Sequence, residues 1–335
     1  MVASAQSNRM DGIVARVKQQ VLRPAPLLLL LSVSLLGLAA STVTVSMPRD
    51  VARALVVFDI TQSMNVQDMR WANRAETRLE TAKQLVRNSL HTIPCGSDLG
   101  IGLFTGHRSF VLFTPVEVCS HYAEISRVID DIDWRMAWAA RSEVAKGVHS
   151  ALLVSDEIGN NTRVIFITDG HEAPPLNPQF LPKYKGQPGT IKGAILGVGG
   201  EVPLRIPKYD PNGKFIGYWR ANEVQQIDSY SAGRPVEQSE SMSGVSSANL
   251  DERIANGTEH LSSLKESYLV SLADRLKLEY RRVSSPADVQ RSMLSESLTV
   301  ETEGKVDISR WIAVLGFISL LASLLWPPNR KNTPI

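Results

Sequence analysis

ALVVFDITQS, residues 54–63, joins a short apolar run to three side chains that carry oxygen. The run has the composition of a buried strand, and it ends at Asp59, followed at alternate positions by Thr61 and Ser63. Alternate residues of an extended chain point to one side, so these three side chains can converge where the strand ends. Oxygen ligands suit Mg²⁺ or Ca²⁺ rather than zinc or copper. The stretch therefore predicts a cation site at the end of a buried strand.

The length and net charge of the chain limit its possible fold and partners. The chain has 335 residues, of which 43% are hydrophobic, enough for one large α/β domain or two small ones. Its formal net charge is only +2. Much of the positive charge flanks apolar segments near the two ends, so no nucleic-acid partner is expected.

The first apolar segment covers residues 27–47, and its 21 residues carry no charge. That length is enough to cross a bilayer. Four basic residues and one acid lie in the preceding residues 1–26, so the positive-inside rule keeps this N-terminus in the cytoplasm. A cleaved signal peptide is the alternative, with small-residue sites at 37–39 and 39–41. The apolar run continues past those sites, which favours an uncleaved anchor.

The second apolar segment covers residues 311–326 and is short for a membrane span, so the bilayer would thin around it. It has a Trp at each end and is followed by a basic tail, 327–335, as expected for a cytoplasmic end. A buried core helix is the alternative. Two anchors would place the chain between them outside the cytoplasm, so the predicted location is the bacterial inner membrane with the main domain in the periplasm.

Two cysteines occur in the chain, Cys95 and Cys119. Cys95 precedes a predicted strand at 99–104, and Cys119 follows another at 110–114. A hairpin of these strands would bring the sulfurs together at its open end. In an oxidising compartment such a pair favours a disulfide, with two buried thiols as the alternative.

Between the anchors, strand-like and helix-like segments alternate. This alternation predicts an α/β fold, Rossmann-like and doubly wound, with a mainly parallel sheet. The link between strands 99–104 and 110–114 is too short for a parallel crossover, so one antiparallel edge strand is expected. An insert at 203–261 contains a predicted hairpin strand at 214–219 and a Ser-rich loop at 239–247. The other predicted strands are 54–59, 163–168, 190–198 and 278–282, and the predicted helices are 77–91, 122–132, 142–158, 264–277 and 286–297.

Ligands of open parallel sheets bind beyond the carboxyl ends of the strands. Asp59 ends one predicted strand and Asp169 follows another, so both acids reach one crevice if the strands are neighbours. The helix predicted to begin at Ser142 starts at the same edge, where its hydroxyl either caps the helix or binds a cation. Two carboxylates and three hydroxyls suit the six-coordinate Mg²⁺ with one position left open.

These motifs resemble those of a von Willebrand factor type A (VWA) domain over residues 53–297. Asp59-Ile60-Thr61-Gln62-Ser63 matches the D-x-S/T-x-S element of the family's metal-ion-dependent adhesion site (MIDAS), and Thr168-Asp169-Gly170 matches its last element. Ser142 stands where the family usually has Thr. The resemblance implies Mg²⁺, with Ca²⁺ or Mn²⁺ as alternatives, and capture of an acidic residue of a partner protein. The implied metal ligands are Asp59, Thr61, Ser63, Ser142 and Asp169.

Anchors at both ends make the chain similar to bacterial VWA proteins associated with MoxR-type ATPases. Segments 171–177, 207–210 and 217–219 resemble MxaL-type accessory proteins of methanol oxidation. This resemblance implies a membrane-anchored module that is not an enzyme. It would assist assembly or metal loading of a periplasmic enzyme, such as calcium insertion into methanol dehydrogenase.

Two other functions remain open at this point. A metal-dependent hydrolase would use His171 or Glu172 as a base beside the crevice. A scaffold that has lost its metal is the second alternative. A phosphatase of the haloacid-dehalogenase type is disfavoured, because that class needs a second Asp where this chain has Thr61.

Overall fold

The computed structural model describes residues 24–71, 73–176, 181–224, 257–296 and 298–326. Most of the predicted basic N-terminus (1–26), the Ser-rich loop (239–247) and the basic tail (327–335) lie outside the described residues. The chain divides into two compact units, Met1–Arg49 with Thr302–Ile335, and Asp50–Glu301.

Strands and helices alternate along the chain as the sequence predicts. The strands are β1 (Thr44–Asp59), β2 (Met69–Trp71), β3 (Arg74–Glu76), β4 (Asp98–Thr105), β5 (Arg108–Glu117), β6 (Arg163–Thr168), β7 (Gly193–Gly197), β8 (Leu204–Arg205), β9 (Pro207–Tyr209), β10 (Phe215–Tyr218), β11 (Leu261–Ser262), β12 (Glu279–Arg282) and β13 (Thr299–Asp307). The helices are α1 (Pro24–Ala40), α2 (Arg78–Ser89), α3 (Tyr122–Asp131), α4 (Val144–Ile158), α5 (Glu266–Leu276), α6 (Pro286–Met293) and α7 (Ser309–Leu325).

The main sheet has the strand order β12-β7-β6-β1-β4-β5. Its neighbours run parallel except β4 and β5, which form the antiparallel edge pair. The predicted mainly parallel α/β sheet is therefore confirmed. In the register of β1 with β6, Phe58 lies beside Ile167, so both strands end at the same edge of the sheet.

Helices cover both faces of this sheet, which explains why β1 is apolar at every position from Ala54 to Phe58. Val56 and Phe58 face a core cluster that includes residues of α2, α3 and α6. Leu55 and Val57 face a second cluster with α4 and α5. Helix α4 approaches closely at Gly147, where an added Cβ would overlap the ring of Phe104.

The region before residue 54 differs from the prediction. Helix α1 ends at Ala40, and β1 begins at Thr44 rather than at residue 54. The last residues of the predicted 27–47 span are therefore extended chain. Alternating Thr and Val at 42–45 explain the difference, since β-branched residues favour strands over helices.

Helices α1 and α7 belong to the smaller unit, and they pack against each other through small side chains. Ser319 Oγ donates to Leu28 O at 2.9 Å, and Ser323 Oγ donates to Ala25 O at 2.7 Å. Small residues allow two helix backbones to approach closely. Within the described ranges, no helix reaches both the length and the apolar character of a membrane span.

A disulfide joins Cys95 to Cys119, with 5.3 Å between the two Cα atoms. It lies at the open end of the β4–β5 hairpin. Glu117 caps this end, because its carboxylate accepts hydrogen bonds from the amides of Gly96, Cys119 and Ser120.

Candidate metal centre

The parallel pairing of β1 with β6 brings the two predicted acids together. Asp59 is the last residue of β1, and Asp169 directly follows β6. Ser63 lies in a short 3₁₀ helix after β1, and its Oγ donates to Asp169 Oδ1 at 3.1 Å across 106 residues of sequence. Thr61 Oγ1 lies 3.4 Å from Ser63 Oγ. Four of the five predicted ligands therefore form one cluster.

Asp59 is fully buried and is held by hydroxyl and amide donors. Thr61 donates to Oδ1 through both its amide, at 2.9 Å, and its hydroxyl, at 2.7 Å. Thr168 Oγ1 donates to Oδ2 at 2.6 Å. No Lys, Arg or His in the described part of the chain forms an ion pair with it. Burial, and then the negative charge of Asp169, raise the pKa of Asp59 to about 7.

Asp169 is equally buried but has a positively charged partner. Its Oδ2 accepts hydrogen bonds from Arg78 Nη1 at 2.5 Å and from Ser262 Oγ at 3.0 Å. Its Oδ1 accepts from the His171 amide at 2.9 Å, in addition to Ser63. Burial is the largest influence and would raise the pKa of Asp169, but the charge of Arg78, together with His171 and the hydrogen bond from Ser63, lowers it overall. Asp59 is thus the acid that lacks a counter-charge.

Ser142 does not begin a helix as the sequence predicts, since α4 starts at Val144. Its amide donates to Ala173 O at 2.8 Å and its carbonyl accepts from Ala173 N at 2.7 Å. This pairing fixes Ser142 in an extended conformation, which explains the later helix start. Its Oγ is buried and forms no hydrogen bond within the described part of the chain. Thr61, Ser63 and Ser142 line one cavity of about 400 Å³, so the fifth predicted ligand faces the same space.

The cluster fits a hard divalent cation. A buried carboxylate without a counter-charge and a buried hydroxyl without a partner are both costly, and a cation would satisfy each of them. All the donor atoms are oxygens, the type that Mg²⁺ takes in a six-coordinate shell. Among the described residues, three His, Cys, Asp or Glu ligands meet only at Cys95, Glu117 and Cys119, where the sulfurs are bonded to each other. The candidate site therefore depends on hydroxyl ligands.

Three further residues support the cluster and were not predicted: Arg78, Asp68 and Ser262. Arg78 is fully buried and contacts Asp169 across 91 residues of sequence and Ser262 across 184. Contacts between residues so far apart leave no local pattern. Thr168 was quoted as part of the T-D-G motif, but its hydrogen bond to Asp59 was not predicted.

The two residues predicted for a hydrolase differ in placement. His171 is buried and lines the cavity, and its Nε2 lies 3.9 Å from Glu259 Oε2. Burial lowers its pKa to about 4. Glu172 does not line the cavity. Its Oε1 accepts hydrogen bonds from Ala145 N at 2.8 Å and from the Tyr268 hydroxyl. Glu172 therefore accepts the hydrogen bond of a backbone amide in the first turn of α4.

Residues 54–171 match the family model of the von Willebrand factor type A domain. The chain thus carries a VWA domain, with a VWA-like α/β fold and a mostly parallel sheet. The matched region begins in β1 and ends just after Asp169, so it contains all five predicted ligands.

Among curated proteins, the chain is 28% identical over 213 residues to a UPF0353 protein of Mycolicibacterium gilvum, covering 61% of this chain and 57% of that protein. A UPF0353 protein of Mycolicibacterium paratuberculosis is 29% identical over 171 residues, covering 49% of each. The chain therefore spans about half the length of the curated relatives it matches. Neither is named for methanol oxidation, so that narrower resemblance stays a prediction.

Two solved structures share sequence at a low level. An aerotolerance-related membrane protein of Bacteroides fragilis is 15% identical, with a TM-score of 0.45 over 74% of this chain and 98% of that one. BatB of Bacteroides thetaiotaomicron is 16% identical, with a TM-score of 0.44 over 79% and 99% of the two chains.

The contrast between the two buried acids gives a stability prediction. In metal-free buffer, Asp59→Asn should leave the free energy of unfolding unchanged or raise it, because it removes a buried charge that lacks a counter-ion. Asp169→Asn should lower it by about 3–5 kcal/mol, because it leaves Arg78 without one of its carboxylates. Urea denaturation with EDTA present measures both. Equal effects of the two substitutions would contradict the assigned asymmetry.

Proposed function

We propose that the chain is a binding module that holds a partner protein through a divalent cation at the VWA domain. The metal ligands would be Asp59, Thr61, Ser63, Ser142 and Asp169, with Mg²⁺ as the physiological ion and Ca²⁺ or Mn²⁺ as alternatives. One observation carries the proposal: Asp59 is buried without a charged partner among the described residues, and it is bonded to Thr61, which lines a cavity together with Ser63 and Ser142. The five ligands would leave one of the six coordination positions of Mg²⁺ open, and a carboxylate from a partner would fill it.

The cavity supports capture of a side chain rather than of a large flat surface. Apolar walls come from Ala139, Ile206 and Trp219. The charged lining residues are Arg141 and two acids, Glu223 and Glu259. Apolar walls with a few polar groups are typical of ligand sites, where the polar groups fix orientation. A carboxylate entering this space would leave water for a partly apolar environment, in which its attraction to a cation is stronger.

Binding is favoured over hydrolysis because one of the two candidate bases already has a structural role. Glu172 is bonded to the start of α4 and to Tyr268 and is absent from the residues that line the cavity. His171 lines the cavity, where its Nε2 lies 3.9 Å from Glu259 Oε2, but Glu172, the other predicted base, does not line it. We therefore propose no enzymatic activity.

The location proposed is the bacterial inner membrane, with the VWA domain in the periplasm. The support comes from the outer surface of the α1–α7 pair, where Leu30, Trp311 and Leu324 are 54%, 70% and 70% exposed. Exposed apolar surface on this scale needs a lipid or protein cover. Each helix has 17 residues, the lower end of the length that spans a bilayer, so local thinning is part of the proposal.

The process proposed is assembly, maturation or metal loading of a periplasmic enzyme. A MoxR-type ATPase is the proposed co-acting system, and calcium insertion into methanol dehydrogenase is the most specific form of the proposal. Its support is the sequence resemblance of segments 171–177, 207–210 and 217–219.

Cation binding is the first test. Isothermal titration calorimetry of the full chain with Mn²⁺ should show one site. Asp59→Ala should abolish binding, and Ser142→Ala should weaken it by about tenfold because one oxygen ligand is lost. Ser126 provides a matched control, since its hydroxyl is also buried without a partner but lies on α3. Ser126→Ala should bind Mn²⁺ as the wild type does, and equal losses in both serine variants would refute the ligand assignment.

Partner capture is the second test. Tagged full-length chain, cross-linked in its host and isolated with Mg²⁺ present, should retain a specific partner. Asp59→Ala and EDTA treatment should each remove that partner, while circular dichroism shows that the variant is folded. Capture that is unchanged in Asp59→Ala would refute the proposed function.

Membrane location has a separate test. After alkaline carbonate extraction of host membranes, the full chain should stay in the membrane pellet. Replacing Leu30, Phe317 and Leu324 with Asp should release it, because charged side chains at a bilayer-facing surface are strongly disfavoured. Release of the wild-type chain under the same conditions would contradict the location.

A further inference from the structure

Arg78 is a fully buried guanidinium that binds two carboxylates. It occupies the first residue of α2 and contacts Asp169 Oδ2 through Nη1 at 2.5 Å. Its Nη2 contacts Asp68 Oδ2 at 2.6 Å, and its Nε contacts Asp68 Oδ1 at 3.0 Å. Arg rather than Lys suits this position, since its planar fork can hold two acceptors in fixed directions.

The surrounding backbone fixes this guanidinium in place. Ser262 accepts from Nη1 through its Oγ at 2.6 Å and from Nη2 through its carbonyl at 3.1 Å. The Gly200 amide donates to Asp68 Oδ2 at 2.8 Å. Gly199 adopts a φ of +132°, and an added Cβ there would lie 2.8 Å from Arg78 Nε, so this position requires glycine. Ser262, Asp68 and Gly199 together therefore form a pocket whose shape and hydrogen bonds fit the guanidinium of Arg78.

Formal charge in this buried cluster matches a divalent cation only because Arg78 is present. Asp59, Asp68 and Asp169 contribute three negative charges and Arg78 contributes one positive charge. A cation with two charges would balance the remainder. Without Arg78 the same oxygens would face the cation with one more negative charge, and cation affinity rises with the charge of the ligand set.

We propose that Arg78 is a positioning residue that limits the affinity of the site for a free cation. It occupies Asp169 Oδ2 and neutralises one carboxylate, so that a carboxylate from the partner adds the last strong ligand. The inference rests on the proposed cation site, and it adds that this arginine sets how tightly the site holds a free cation.

The experiment compares Mn²⁺ affinity in two variants of the full chain by titration calorimetry. Asp68→Asn keeps Arg78 on Asp169 and serves as the matched reference. Asp68→Asn with Arg78→Met removes the counter-charge of Asp169 and keeps an unbranched apolar side chain at position 78. The double variant should bind Mn²⁺ about tenfold more tightly than the reference, although it is less stable. A purely structural role of Arg78 would not raise affinity, so equal or weaker binding would overturn the inference.

Arg78→Lys in the Asp68→Asn background tests charge separately from shape. It should bind Mn²⁺ within about threefold of the reference, and a gain as large as that of the Met variant would also overturn the inference. If the double variant is unfolded without metal, recovery of its circular dichroism spectrum by Mn²⁺ supports the inference, and failure to recover it counts against it. A wild-type chain that takes up no Mn²⁺ at millimolar concentration would refute the cation site itself, whereas a wild type that binds alongside an unchanged double variant would refute only the role of Arg78.

Discussion

The parallel pairing of β1 with β6 is the constraint on which the candidate site depends. The register places Phe58 beside Ile167, so the two strands end together and deliver Asp59 and Asp169 to one edge. Both strands are buried on two faces, and a slip of one residue would turn every apolar side chain to the opposite cluster. The packing of the core therefore fixes the separation of Asp59 and Asp169, and this separation does not depend on the geometry of a loop.

The two acids differ although they are equally buried. Arg78 and Ser262 hold Asp169, whereas only hydroxyls and an amide hold Asp59. An unbalanced buried charge lowers stability, and folded proteins tolerate such groups mainly where function needs them. The site thus combines one acid that completes the fold with one that remains reactive toward a cation. The hydroxyls of Thr61 and Ser63 join the two acids into one network.

Sequence alone predicted the elements that carry strong local patterns. The apolar runs of β1 and β6, with polar residues at their ends, gave the sheet and four members of the cluster. Ser142 was placed at the right edge, but its helix start was wrong because its pairing with Ala173 is a contact between distant segments. The sequence predicts a helix at 77–91 but no site role for Arg78 within it, since its partners are 91 and 184 residues away. Extended chain at 44–47 was also missed, because hydropathy does not distinguish a helix from a strand of the same composition.

Ile206 and Trp219 belong to the segment between β7 and α5, whereas the five oxygen-bearing residues lie earlier in the chain, on or beside β1, α4 and β6. The walls of the cavity therefore draw on two stretches of the chain, whereas the five candidate ligands come from the earlier one alone. Substitutions at Ile206 or Trp219 would then reshape the cavity and leave the oxygen-bearing cluster in place.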